Sequence, residues 1–286
     1  MHHHFAGPAV AIYDWDCAGH GPAVEEWSDA HEIIVARRGV FTRQVAGASD
    51  LIDAGVAALA HPDEVYRIRH PVPGGDRCSV FRLAPDAARE VVGWFDPEAA
   101  DREIPRFPSG RVPLDGPSYL LHRLAFRAAP AAGPVEVEEW ALAFAHAVLA
   151  RAHAQQGGGP RRRAPSPTAR AIDCVARVRE LVAGRYLEKL TLSEISRAVE
   201  CSPFHLSRQF TAVTGLPIHR LILQLRLRHA LELMLETRAG LSEIAFASGF
   251  ASHSHMTDAF RQEFGAAPRL LRGARSPNGV ARLQVR

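Results

Sequence analysis

The 286-residue sequence predicts an α+β protein of two parts: an antiparallel β-sandwich or small barrel with flanking helices, then an all-α unit. Three observations predict it. Short β-branched and aromatic stretches separated by turn residues fill residues 8–84. A Gly- and Pro-rich stretch then interrupts the chain, and beyond it the apolar spacing is helical throughout. At about 150 residues per domain, the length also accommodates two domains.

In the first part, Ile33-Ile34-Val35, Val40-Phe41 through Val45, Val65-Tyr66-Arg67-Ile68 and Ser79-Val80-Phe81-Arg82-Leu83 read as strands, punctuated by Gly39, Gly47, Gly55 and Gly74-Gly75. The histidines His2, His3 and His4 before them are expected to be disordered. Residues 86–94 read as a short helix, and 117–129 and 135–154 as longer ones. In the last, Val137, Trp140, Ala141, Phe144 and Val148 keep helical spacing on an alanine-rich background. Such a helix either seals the barrel or pairs with a second subunit. Residues 155–166 read as a flexible linker between a domain of residues 1–154 and one of residues 167–275, with a tail at 276–286.

After the linker, Pro167 suits a first helical position, and Ile172, Val175, Val178, Leu181 and Val182 form one stripe. Thr191-Leu192-Ser193-Glu194 is a capping box, in which hydroxyl and carboxylate satisfy each other's backbone donors. Ser202-Pro203 is a second cap, and its helix runs through Phe204, Leu206 and Phe210 to Gly215.

The same design recurs. Thr191-Leu192-Ser193-Glu194-Ile195 matches Gly240-Leu241-Ser242-Glu243-Ile244, an offset of 49 residues. Ser202 through Phe210 matches Ser252 through Phe260 at an offset of 50, as Gly215 matches Gly265. Two short helices joined by a tight turn, the second one capped, is the helix-turn-helix plan, whose second helix enters the major groove. Between the copies, Pro217 to Glu236 reads as one helix with Leu221, Leu225, Leu231 and Leu235 on its apolar face. Twenty residues at about 1.5 Å each span roughly 30 Å, close to the roughly 34 Å between successive major grooves on one DNA face.

Composition narrows the partners. With 47% apolar and 23% charged residues the chain is neither disordered nor a disulfide scaffold, and no apolar run is long enough to span a bilayer. Cys17, Cys78, Cys174 and Cys201 contain no C-x-x-C, which suits a reducing cytoplasm. Residues 1–160 carry 14 basic and 21 acidic side chains, whereas residues 161–286 carry 20 and 10, so the two parts are expected to meet different partners. Lys189 is the one lysine; the other basic residues are arginine, suited to phosphate and base edges.

Residues 167–275 resemble the DNA-binding domain of AraC/XylS-family transcriptional regulators. The residues that carry this are Ser202 through Phe210, Thr214-Gly215, Arg226-Leu227 with Ala230, Ile244-Ala245, Gly249-Phe250, Ser254, Phe260, Phe264-Gly265 and Pro268. The sequence departs from the family pattern at Pro217-Ile218 and Leu221, at Met256 in place of Phe, and at Asp258, where a basic residue is frequent. The resemblance implies promoter binding, contact with RNA polymerase, and an activator controlled through its N-terminal domain by a small-molecule or metal effector, or by pairing as a homodimer. It places base contacts at Pro203, Phe204, Ser207 and Arg208 in the first copy, and at His253, Ser254, Thr257 and Asp258 in the second; Arg261 is a candidate phosphate contact. Arg208 suits guanine O6 and N7 best; its alternative is a surface ion pair with Glu200 or Glu232. Phe204 suits a thymine methyl, unless it is core.

The strand-rich part resembles the cupin-like domains of the same family. No H-x-H lies within it, which argues against a metalloenzyme with an accessory helical domain and for a non-enzyme. Cys17, His31, His61, His70 and Cys78 could converge on a soft-metal or thiol-sensing site, and of these Cys17, His31, His70 and Cys78 are the candidate ligands for a zinc-like ion, since zinc takes sulfur and imidazole together. Arg38, Arg67 and Arg69 are candidates for an acidic effector.

Overall fold

A computed structural model describes residues 2–19, 23–156 and 168–273. Its strands are β1 (His2–Ala6), β2 (Val10–Cys17), β3 (Val24–Ser28), β4 (His31–Gly39), β5 (Phe41–Val45), β6 (Ala48–Ile52), β7 (Val56–Ala60), β8 (Glu64–Arg69), β9 (Asp76–Leu83) and β10 (Arg111–Pro113). They form two antiparallel sheets, ordered β1-β2-β9-β4-β7-β10 and β3-β8-β5-β6. Among the described residues no pairing joins the two sheets, so the expected closed, cupin-like barrel is replaced by a pair of open sheets.

Alternation along the central strands explains why they read as nearly continuous apolar runs. Successive side chains leave opposite faces of a strand. In β9, Phe81 and Leu83 enter the main core, whereas Cys78 and Val80 face the space between the sheets. In β4, Ile33 and Val35 take the first side, Glu32 and Ile34 the second. The main-core face is covered by α1 (Pro85–Gly93), α3 (Gly116–Ala128) and α4 (Pro134–Gln156). Trp140, Phe144 and Val148 of α4 are buried there, so of its two expected roles it seals the sheet. A single helical turn, α2 (Pro97–Ala100), follows α1, capped by the Asp96 carboxylate. The N-terminal histidines do not follow the expectation of disorder: β1 pairs with β2, placing His2 opposite Asp14 and the His3 ring against Tyr13.

Gln155 and Gln156 end α4 instead of opening the linker, because the alanine-rich stripe continues helical bonding through them. The rest of the expected linker, Pro167 and the tail at 276–286 lie outside the described residues. The next helix, α5 (Ala169–Arg185), starts from Thr168, whose hydroxyl accepts from the Ala171 backbone N–H at 3.2 Å. Its inward face is Ala171, Val175, Val178 and Val182. Ile172, expected in that stripe, is 52% exposed, because Ala171 takes the inward position one residue before it.

Then come α6 (Leu192–Ala198), α7 (Pro203–Thr214), α8 (Ile218–Glu236), α9 (Leu241–Ala247), α10 (His253–Phe264) and α11 (Pro268–Gly273). The predicted repeat is thus two helix pairs on either side of α8. Ile195, Leu206 and Phe210 of the first pair, and Ile244, Phe250, Met256 and Phe260 of the second, are all at most 3% exposed. Met256 fills the place of the family's phenylalanine as an apolar core residue.

The helical unit does not stand apart from the sheets. Arg228 of α8 is fully buried, donates to the Leu114 carbonyl at 2.6 Å and lies 5.0 Å over the Tyr119 ring. One turn on, Glu232 accepts from the Tyr119 hydroxyl at 3.1 Å and pairs with the Arg123 guanidinium. Glu236 closes the seam with Arg37 at 3.2 Å and Arg123 at 3.3 Å, and Arg179 of α5 meets Asp53 at 2.7 Å. Among the described residues, no helix is long and apolar enough to cross a membrane.

Candidate nucleic-acid interface and inter-sheet cavity

The two reading helices are built by matching local rules. Ser202 and Ser252 each accept from the backbone N–H three residues on, that of His205 and of His255. Both helices end on a left-handed glycine, Gly215 at φ 74° and Gly265 at φ 72°. The preceding turns also match: Cys201 N–H returns to the Ser196 carbonyl and Phe250 N–H to that of Ala245, both at 2.9 Å. The two elements that should read DNA therefore start and stop alike.

Their predicted contact residues face outward. Pro203, Phe204, Ser207 and Arg208 are exposed on α7. Phe204 is 72% exposed, which removes the core alternative, and the Arg208 guanidinium lies 5.6 Å over its ring. Among the described residues Arg208 makes no ion pair with Glu200 or Glu232; Glu232 is occupied by Arg123. On α10, Ser254, Asp258 and Arg261 are exposed, and His253 and Thr257 half-buried. Asp258 pairs with Arg261 at 3.1 Å, so the carboxylate partly cancels the neighbouring candidate for phosphate. His205 and His255 are also exposed, although the His255 ring packs against Phe250.

Arg226 sets the two pairs relative to each other. From α8 it donates to the carbonyls of Tyr186 and Glu188, at 2.7 Å each, and to that of Gly249 at 2.8 Å. One planar guanidinium thus joins the end of α5, the central helix and the second reading turn. The sequence showed Arg226 as part of a resemblance, without this role.

Between the sheets lies a cavity of about 390 Å³, lined by Trp15, Trp27, Tyr66, Glu26, Glu32 and Arg43 among others. Burial raises the Glu26 carboxyl above its usual range and the Tyr66 phenol above its own. Glu64 goes the other way, held at about 2 against the penalty of burial by hydrogen bonds and charge from His61 and Arg43. Cys17, His70 and Cys78 of the expected metal set line this cavity, together with Asp76, which the set omitted. His31 does not join them. It sits opposite Leu83, at the far end of β9 from Asp76, roughly 23 Å away at 3.3 Å per residue. There it bonds the Pro105 carbonyl at 2.8 Å, beside His61. Arg38, Arg67 and Arg69 do not line the cavity; Arg67 pairs with Glu25 at its wall and Arg69 with Glu180.

The seam with α8 was the part that sequence reading missed. Its signal was present: Leu221, Leu225, Arg228, Glu232 and Leu235 share helical spacing, so two charged residues occupy an otherwise apolar stripe. A charge in that position calls for a buried partner.

Comparison with known proteins agrees with this geometry. A family profile described as a helix-turn-helix domain matches residues 195–274. The HTH-type transcriptional regulator GlxA of Rhizobium meliloti (strain 1021) is 29% identical over 190 residues, covering 65% of this chain and 55% of GlxA. The HTH-type transcriptional activator RhaS of Escherichia fergusonii is 34% identical over 103 residues, covering 35% of this chain and 37% of RhaS. The chain therefore spans about half or less of the length of these curated relatives. A crystal structure of a transcriptional regulator with an AraC-type DNA-binding domain, from Chromobacterium violaceum, is 27% identical, covering 38% of this chain and 98% of that one, with a TM-score of 0.36. Residues 195–274 are thus a helix-turn-helix domain, similar in sequence to parts of the transcriptional regulators GlxA and RhaS.

Proposed function

We propose that the chain is a sequence-specific, DNA-binding transcriptional regulator whose N-terminal part controls the action of its two reading helices. The observation that carries this is the outward presentation of Arg208 and its neighbours on α7, and of Ser254 and Asp258 on α10, by elements with the same caps and the same core. The 19 residues of α8 span roughly 28 Å at 1.5 Å each, which suits neighbouring major grooves. Arg208, braced over Phe204, reads a guanine or grips a phosphate, while the ion-paired Asp258 makes the second copy the weaker binder.

The regulatory half of the proposal rests on the cavity and the seam. A pocket between the two open antiparallel sheets gives an effector somewhere to bind. The buried charges of α8 give that part a direct hold on the DNA-binding part. Activation through RNA polymerase, and pairing as a homodimer, complete the proposal by family resemblance.

The test is binding to genomic fragments, followed by titration of the selected site. Arg208→Ala is expected to weaken the selected site by about 1–3 kcal/mol, roughly five- to 150-fold, while leaving unrelated DNA nearly unchanged. Equal binding of every sequence by parent and variant would remove Arg208 from the interface.

A further inference from the structure

The geometry points to a binding site for a zinc-class divalent cation at one end of the inter-sheet cavity, formed by the Cys17 thiolate, the His70 imidazole and the Asp76 carboxylate. One donor atom from each lies within 4.8 Å of the others. A tetrahedral zinc-class ion holds its nitrogen, oxygen and sulfur donors roughly 3.3–3.6 Å from one another, so side-chain rotations that also part His70 from Asp76 would seat it. Sulfur with imidazole and carboxylate selects a borderline-soft ion over calcium or magnesium, which prefer oxygen alone.

The fold brings these donors together from distant parts of the chain. Cys17 ends β2 and sits opposite Asp76, the first residue of β9, whereas His70 directly follows β8 of the other sheet. Gly75 allows that approach. At φ 64° it is left-handed, and a Cβ there would come within 1.8 Å of the Cys17 carbonyl oxygen. His70 Nε2 lies 2.5 Å from Asp76 Oδ2, with both side chains 6% exposed. The Cys78 thiol donates to Asp76 Oδ1 at 2.9 Å, the kind of outer contact that orients a ligating carboxylate.

Binding would release the Cys17 thiol proton to solvent. Three protein donors leave a fourth position for water or a small donor molecule. This claim does not depend on DNA binding, because its readout is the metal complex itself.

The probe is cobalt(II), added to the purified, reduced full-length chain. One equivalent should bind, with a sulfur-to-cobalt charge-transfer band in the near ultraviolet. That band should persist in Cys174→Ser with Cys201→Ser, which removes the thiols of the helical part, and in His2→Ala with His3→Ala and His4→Ala. It should vanish in Cys17→Ser, and His70→Ala should weaken cobalt at least ten-fold. Cobalt should also raise the melting temperature of the parent but not of Cys17→Ser. Absence of the band in the parent, or its survival in a folded Cys17→Ser protein, would overturn the site.

Discussion

Gly249 turns through φ 77° with no room for a side chain: a Cβ would stand 2.9 Å from the Leu187 carbonyl oxygen and 3.0 Å from Arg226 Nε. Gly249→Ala is therefore expected to cost on the order of 1–3 kcal/mol, from backbone strain plus the displaced contacts. The equivalent turn of the first copy places Glu200 at φ 56°. A non-glycine residue there costs about 1–2 kcal/mol, partly offset by the greater unfolded-state freedom of glycine. Glu200→Gly should accordingly stabilise the protein by up to about 1 kcal/mol. Denaturant titrations should show these as opposite midpoint shifts at unchanged slope. Asp258 argues at the same scale: Asp258→Asn removes a carboxylate that phosphate repels and frees Arg261. It should raise DNA affinity several-fold, and by less as salt increases.

Among the elements, α8 carries two jobs on two faces. Arg226 ties the helix pairs together, whereas Arg228 and Glu232 face the N-terminal part. Arg226→Lys keeps the charge but cannot reproduce a planar fork reaching three carbonyls. The site is partly exposed, so a loss of about 1–2 kcal/mol is expected, with weaker DNA binding because the second reading turn loses its anchor at Gly249. Thermal unfolding and DNA titration of the same variant check both effects. The helices themselves were legible in the sequence because caps, stripes and terminal glycines act within a few residues. Thr168 escaped because Ser166-Pro167 carries the same local signal two residues earlier. Ile172 misled because the stripe allows one neighbour or the other to turn inward, and packing against other elements selects Ala171.

For the whole molecule, the seam couples folding to pH. Burial is the largest influence on Glu232 and pushes its carboxyl up to about 7, against the opposing pull of Arg123. With the folded value above the ordinary 4.5, the folded state binds more protons than the unfolded state between those limits. Its contribution to stability is thus full below about pH 4.5 and is lost as pH rises through about 7. Glu232→Gln, which keeps the shape and removes the titration, should flatten that decline. The difference between parent and variant melting temperatures across pH 4.5–7.5 measures it, and an unchanged difference would mean that Glu232 does not titrate in this window. Glu64, held near 2, gives the opposite slope, present above its ordinary value and lost on acidification.

The sequence by itself determined the doubled helix-turn-helix plan, the caps and most of the core faces, because each follows from periodicity and from bonds between near neighbours, whereas the outward turn of Phe204 was decided by the structure. Tertiary structure alone decided the open pairing of the two sheets, the meeting of Cys17 and His70 with Asp76, the exclusion of His31, and the burial of Arg228 and Glu232 against Tyr119 and Arg123. These depend on strand register and on contacts between residues more than a hundred positions apart, where a one-residue slip reverses every side chain. No local pattern encodes that register.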